Sequence, residues 1–364
     1  MIILIADQPG TNSYLTSLIE AYKAAGLTVI CGYHNFFYSN IKPDILHIQW
    51  PEKMYNWYPF SSLSEEEKFD KIENRLKWYK QNNVQIIHTI HNIKPHILEK
   101  FDFEEKTFKL IIYYSDILFH HCKRSIELLK ENYPEAKNKK NIINPHGDYL
   151  IDYKEIPKNN ARFKLGITPE KFVILNFGSQ QNYKGEDFID SVFNNLKIKD
   201  KFLLTAGNYV YESYSNTALL KLRNTFRQKF KFKNKLYVYR RIPSNDLPFI
   251  VNSCDVFFLA HQKDTLNSGV LSLAATYGKP VVFPDIGCFK EQMKNWIFKT
   301  YEPDNEKSAM NAVIDIYNNL KNDNIALDNS LWLKENTWEL HVKKIIDSVR
   351  KFKVSQPSTL SEIN

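Results

Sequence analysis

The stretch Asp255-Val256-Phe257-Phe258-Leu259, then Asn267-Ser268-Gly269-Val270-Leu271-Ser272-Leu273-Ala274-Ala275, then Tyr277-Gly278-Lys279-Pro280-Val281-Val282 decides the fold. Its first five residues are an apolar run of strand length, and a loop over 260–268 leads into a helical apolar segment. Gly278 closes that helix and Pro280 opens a second apolar strand, the order expected at a helix C-terminus. Strand, helix and strand in close succession predict a βαβ unit, whose strands run parallel. The turn before the helix is polar and contains glycine, so it leaves backbone N–H groups free. With the helix dipole they make an anion site suited to a diphosphate.

The same alternation extends outward. Apolar runs at 1–6, 27–31, 44–48, 84–90 and 117–121 predict strands, with helical patterns at 12–25, 64–81, 104–114 and 123–132. A second series predicts strands at 173–178, 202–207, 236–239, 255–259 and 281–283. Two such blocks in 364 residues imply two doubly wound, Rossmann-like α/β domains with parallel sheets. The first is expected over 1–152 and the second over 153–331, joined by the polar stretch 152–160. A C-terminal amphipathic helix within 332–352, around Asn336-Thr337-Trp338-Glu339, is expected to return to the first domain. Residues 353–364 are expected to be a disordered tail.

Composition narrows the class. Apolar residues make up 43% and charged residues 25%, as in soluble globular proteins. No run approaches the roughly 18 apolar residues of a membrane span. Met1-Ile2-Ile3-Leu4-Ile5-Ala6-Asp7 has no basic residue before its apolar run and reads as a first strand rather than a signal peptide. Cys31, Cys122, Cys254 and Cys288 are widely spaced without a CxxC pair, which argues against a disulfide framework or zinc site and for a reduced cytoplasm. The net charge of +8 gathers around Lys221-Leu222-Arg223 through Lys235 and at Lys343, Lys344, Arg350, Lys351 and Lys353. Such clusters are solvated helix faces, or they attract anionic lipid or phosphorylated substrates. No nucleic-acid-binding motif accompanies them.

In open parallel sheets ligands bind beyond the C-terminal strand ends, and the distinctive residues fall there. They are Asp7-Gln8-Pro9-Gly10-Thr11-Asn12, His47-Ile48-Gln49-Trp50-Pro51-Glu52, His88-Thr89-Ile90-His91-Asn92, Pro145-His146-Gly147-Asp148 and Phe177-Gly178-Ser179-Gln180-Gln181-Asn182-Tyr183-Lys184-Gly185. No GxGxxG follows the first strand, so a dinucleotide fingerprint is absent. The aromatic stretch 54–60 is either core or a grip for a sugar ring or lipid carrier.

Together with the Ser-Gly helix and Gly-x-Pro-Val that follow, these stretches resemble nucleotide-sugar glycosyltransferases of GT-B fold, in particular the bacterial polysaccharide-assembly, family-4-like group. The resemblance runs from residue 1 to about 350 and implies two Rossmann-like domains facing a cleft. It places Lys184 on the leaving diphosphate, with Gly10, Asn267, Ser268 and Gly269 nearby. Ser179 or Gln181 stands where relatives carry an arginine, so Arg240 or Arg241 is expected to supply the missing charge. It places His91 at the donor sugar, Glu52 as an acceptor-side base, and Trp50 and Asn12 on the acceptor side. Three departures stand out: Gln49 for a histidine, Ile97 for a glutamate, and Ala274 where a glutamate would bind ribose.

The expected activity is transfer of a hexose from a nucleoside diphosphate to a glycan or polyprenyl-linked glycan acceptor in bacterial surface polysaccharide synthesis. Retention of configuration is expected, with no metal and no cofactor beyond the nucleotide-sugar co-substrate. The expected setting is the cytoplasm at the inner face of the plasma membrane, with peripheral contact to anionic lipid and no nucleic acid partner. The alternatives are another enzyme class on this fold, such as an epimerase or phosphorylase, and a catalytically inactive partner subunit.

Overall fold

The protein is described from a computed structural model. It covers residues 1–10, 12–93, 101–210, 217–230, 232–262 and 265–355. Two compact units emerge, one of 1–147 with 336–364 and one of 148–335.

The first unit is built on β1 (Ile2–Ile5), β2 (Thr28–Cys31), β3 (Ile45–Ile48), β4 (Gln85–Ile90), β5 (Ile117–His120) and β6 (Lys140–Ile143). They form a parallel sheet in the order β2-β1-β3-β4-β5-β6. β3, β4 and β5 are buried at every position, as a sheet covered on both faces requires. Alternate residues feed two cores. Ile3, Ile5, Ile45, Ile87 and Phe119 pack with the helices Ser13–Ala24 and Trp338–Ser355. Leu4, Leu46, Ile48 and Ile86 pack on the other face, against the helices Tyr33–Tyr38, Glu65–Gln81 and Phe101–Tyr114. Ser64 starts the second of these through a capping box with Glu67.

The second unit carries β7 (Phe172–Phe177), β8 (Lys201–Ala206), β9 (Lys235–Val238), β10 (Val256–Phe258), β11 (Val281–Pro284) and β12 (Phe298–Tyr301). Their parallel order is β12-β11-β10-β7-β8-β9. Both sheets are doubly wound, as the strand–helix alternation predicts.

The structure corrects the boundaries and adds elements. Tyr149 belongs to the second unit: its N–H donates to Thr276 Oγ1 at 3.0 Å. The Tyr277 hydroxyl donates to the Asp152 carbonyl at 2.6 Å. Residues 158–160 are the start of the helix Lys158–Leu165 rather than linker. Trp332 sits in the second unit's core, its Nε1 donating to the Gln292 carbonyl at 3.2 Å, so the returning segment starts after it. Of the expected tail, 353–355 continue the last helix and 356–364 lie outside the described residues. β6 and β12 are strands the sequence pattern does not predict.

Candidate active site

In the second unit, the chain after β7 turns at Gly178, which has φ +107°. A Cβ there would lie 3.2 Å from Val270 Cγ2 and 3.7 Å from Lys184 Nζ. The Lys184 amine and the first turn of the helix Gly269–Thr276 therefore converge on one glycine. The loop is held by Gln180, whose Nε2 donates to the Gly178 carbonyl at 2.9 Å while its Oε1 accepts from Asn176 at 3.0 Å. Gly207, at φ +144°, lets β8 pass so close that a Cβ would sit 1.9 Å from the Gly178 carbonyl oxygen. Gly185 likewise abuts the Ala260 carbonyl, where a Cβ would lie at 2.3 Å.

Burial pushes the Lys184 amine down from 10.5 to about 8. Among the described residues it makes no ion pair. Nearby, the N–H groups of Gly269 and Val270 have no partner among the described residues. The Ser268 side chain caps nothing, because Gln292 holds Ser268 by its backbone, N–H to Oε1 at 3.1 Å and carbonyl to Nε2 at 2.8 Å. The Asn267 Oδ1 is buried without a hydrogen bond. His261, at the end of β10, is pushed down to about 3 by burial and by Lys184, and is neutral. A desolvated cation and N–H groups without a described partner each favour an anion.

Ser179 and Gln181 lie half-buried on the same loop. Arg240 pairs with Asp246 at 2.9 Å, and Arg241 is exposed on the chain after β9. No described contact brings either arginine to Lys184. Ala274 is fully buried in the sheet-packing core. Gln180 and His261 were not singled out from sequence, since their roles depend on contacts between separate strand ends.

In the first unit, the ends of β1, β3 and β4 meet in a buried polar chain. Tyr22 Oη lies 3.0 Å from His47 Nδ1, Gln49 Nε2 lies 2.7 Å from His47 Nε2, and Gln49 Oε1 lies 2.7 Å from His91 Nε2. The amide oxygen of Gln49 only accepts, so His91 Nε2 carries its proton and Nδ1 the lone pair. Burial, with His121 and His146 behind it, keeps His91 neutral and well below the usual histidine range. Its ring stacks on Trp50 at 4.3 Å and meets the edge of Tyr14 at 4.9 Å. The Lys53 ammonium lies over the other ring system of this group, 4.1 Å from the Trp50 centroid.

Trp50, Glu52 and His91 line one small pocket with Gln49, His88 and Glu104; at about 10 Å³ it has room for a single water. Burial raises the Glu52 carboxyl. Asp7, which the sequence reading passed over, is pushed up to about 7 by burial; it accepts from the Gln49 N–H at 3.1 Å through Oδ2, and Oδ1 has no partner. Asn12 is the N-cap of the helix Ser13–Ala24, its Oδ1 accepting from Tyr14 N at 3.0 Å, so that acceptor oxygen is engaged in the fold. Gly10 has open space around it. Position 97 lies outside the described residues. Of the aromatic stretch, Met54, Tyr55 and Phe60 are core, Trp57 stacks on Phe37 at 5.9 Å, and Tyr58 is its one exposed aromatic ring. Among the described residues no three His, Cys, Asp or Glu side chains gather as metal ligands, and no helix is long and apolar enough to cross a membrane.

Residues 157–329, most of the second unit, match the family model Glycosyl transferases group 1. This unit is a group 1 glycosyltransferase domain. The chain is thus a glycosyltransferase, as the strand-end motifs predict. Its sequence matches none of the curated proteins. Among solved structures it is similar to sucrose-phosphate synthase from Thermosynechococcus elongatus, with TM-score 0.72 and 14% identity over 98% of this chain and 99% of that one. It is also similar to Anabaena HepE in complex with UDP and glucose, at TM-score 0.69 and 14% identity over 96% and 100%. A third neighbour is the catalytic domain of starch synthase IV from Arabidopsis thaliana bound to ADP and acarbose, at 0.64 and 11% over 98% and 99%. At these identities the likeness is one of fold, and the fold is GT-B.

Proposed function

We propose that the glycosyltransferase uses a nucleoside-diphosphate sugar as donor and a glycan or polyprenyl-linked glycan as acceptor, in bacterial surface polysaccharide synthesis at the inner face of the plasma membrane. The observation that carries this reading is that Lys184 Nζ and Val270, in the first turn of the helix Gly269–Thr276, both lie against Gly178, while the N–H groups of Gly269 and Val270 have no partner among the described residues. A diphosphate bound there restores a counter-ion to a buried amine and fills unpaired donors. Two of the structural neighbours were solved with UDP or ADP, which supports a nucleotide donor.

In the proposed reaction the bond between the anomeric carbon and the diphosphate oxygen breaks, and the diphosphate leaves with the electron pair. Lys184 and the helix N–H groups stabilise the charge that develops on it. The acceptor oxygen bonds to the anomeric carbon from the same face, and its proton passes to a phosphate oxygen. No metal or further cofactor takes part in this scheme, since fixed protein charge meets the leaving group. Neutral His91, held through Gln49, is the residue we assign to the sugar, and Glu52 is the acceptor-side base should the enzyme invert. The test is transfer from UDP-, GDP- or ADP-sugars to lipid-linked or soluble glycans, with the anomeric configuration of the product read by NMR. A retained configuration that persists with chelator present is expected. Release of nucleoside diphosphate only with an added metal, or product of inverted configuration, would overturn that part of the scheme. Absence of any donor binding would instead favour the inactive partner subunit.

A further inference from the structure

The helix Thr217–Lys229 in the second unit is turned inside out. A surface helix ordinarily buries its apolar stripe and gives its polar face to water. Here Leu219, Leu222, Phe226 and Phe230, spaced three or four apart and so on one face, are 65%, 69%, 51% and 55% exposed. Phe226 and Phe230 stack on each other in the open at 4.1 Å, and the exposed Phe232 extends the patch. The inner side is polar instead. Asn224 is buried, while Arg227 reaches Asp190 at 2.5 Å and Glu186 at 3.0 Å, and Arg223 reaches Asp187 at 2.7 Å. These ion pairs anchor the helix by its charged side and leave its apolar side exposed, without a partner among the described residues of the unit.

The charge carried by the segment itself has one sign. From Thr217 to Lys235 the sequence contains no acidic residue, and Lys221, Lys229 and Lys233 are exposed beside the stripe.

We propose that this face docks the enzyme on an anionic lipid bilayer, with Leu219, Leu222, Phe226 and Phe230 entering the headgroup boundary and the lysines meeting lipid phosphates. A second copy fits less well, because a two-fold contact sets the face against itself and brings its lysines together. The inference deepens the membrane part of the proposed function and rests on that part alone, not on the donor chemistry.

The test is co-sedimentation of the full chain with phosphatidylcholine vesicles, with and without phosphatidylglycerol, for the wild type and for a Leu222→Ser/Phe226→Ser variant. Both replaced side chains are exposed, so the variant should keep the wild-type melting temperature and nucleotide affinity. The wild type is expected to pellet with anionic vesicles, less so at high salt. The variant should partition at least tenfold more weakly, since even one buried apolar side chain is worth about that factor. Lys229→Glu/Lys233→Glu should weaken binding only to the anionic vesicles. Equal pelleting by wild type and Leu222→Ser/Phe226→Ser overturns the proposal. So does a wild-type dimer that the same variant makes monomeric while neither binds vesicles, which would make the face a self-interface. Because nucleotide affinity is measured separately, failure here is distinguishable from failure of the donor site.

Discussion

Replacing Lys184 with methionine should make the unliganded enzyme more stable while removing its grip on the donor. The lysine is a desolvated cation without an ion pair among the described residues, so the folded state gives up its proton more easily than the unfolded chain does. Stability therefore rises with pH between about 8 and 10.5, and below pH 8 the full penalty is present. A fall from 10.5 to about 8, at about 1.4 kcal/mol for each pH unit, corresponds to about 3 kcal/mol. Partial solvent access to the side chain trims this to about 1–3 kcal/mol. Methionine is unbranched and of similar length, so the packing loss is small. At about 2–4 °C per kcal/mol for a domain of 150–250 residues, the melting temperature at pH 7 should rise by several degrees. The advantage should shrink by pH 10, where the wild-type amine has lost its charge. Calorimetric titration of the same variant should show nucleoside-diphosphate binding weakened by about 1.5–3 kcal/mol, the worth of a hydrogen bond to a charged group. A variant that melts lower than the wild type at pH 7, or that binds diphosphate as tightly, refutes the reasoning.

Further perturbations separate the two units. Gly207→Ala places a Cβ against the Gly178 carbonyl at a φ that only glycine adopts easily; it should cost about 2–4 kcal/mol in chemical denaturation, and an unchanged midpoint would contradict the close approach. Gln49→Leu removes the link between His47 and His91 and should cost about 1–3 kcal/mol. It should lower kcat while leaving the affinity for nucleoside diphosphate alone, which is assigned to the other unit, as it was. Asp7, pushed up to about 7 from 3.8, favours the folded state when protonated, a contribution present below about pH 4 and lost as pH rises through about 7. Wild-type thermal stability should thus decline from pH 5 to 8 more steeply than that of Asp7→Asn; parallel profiles would show that Asp7 is not desolvated.

What was legible in the sequence is what local chemistry determines. Apolar runs of strand length separated by helical periods predict both parallel sheets, and the sequence marks the Lys184-Gly185 loop and the Ser268-Gly269 helix start that the fold brings to Gly178. β6 and β12 escaped because they are short edge strands bearing lysines, Lys140 exposed and Lys299 half-exposed, without the apolar run that marks β3 or β10. The boundary at 147–148 escaped because it rests on Tyr149 bonding to Thr276, 127 residues away. Gln49 read as a departure from a histidine pattern, but its partner His91 lies on the neighbouring strand end, and only the β3–β4 register shows that the amide bridges two rings. The position of Ala274 likewise needed the packing, which turns it into the core. Basic composition pointed to the segment 221–235, but the exposure of Leu222 and Phe226 could not be read from periodicity, which alone predicts that such a stripe is buried.

The central claim is that Lys184 and the N-terminus of the helix Gly269–Thr276 hold a diphosphate. Calorimetric titration of wild type and Lys184→Met with UDP, GDP and ADP, each beside its monophosphate, tests it most directly. One diphosphate should bind the wild type about tenfold or more tightly than its monophosphate, the worth of one charge-assisted contact, and that margin should vanish in the variant. Equal affinity for diphosphate and monophosphate in the wild type, or a margin that survives the loss of the lysine, would contradict the account.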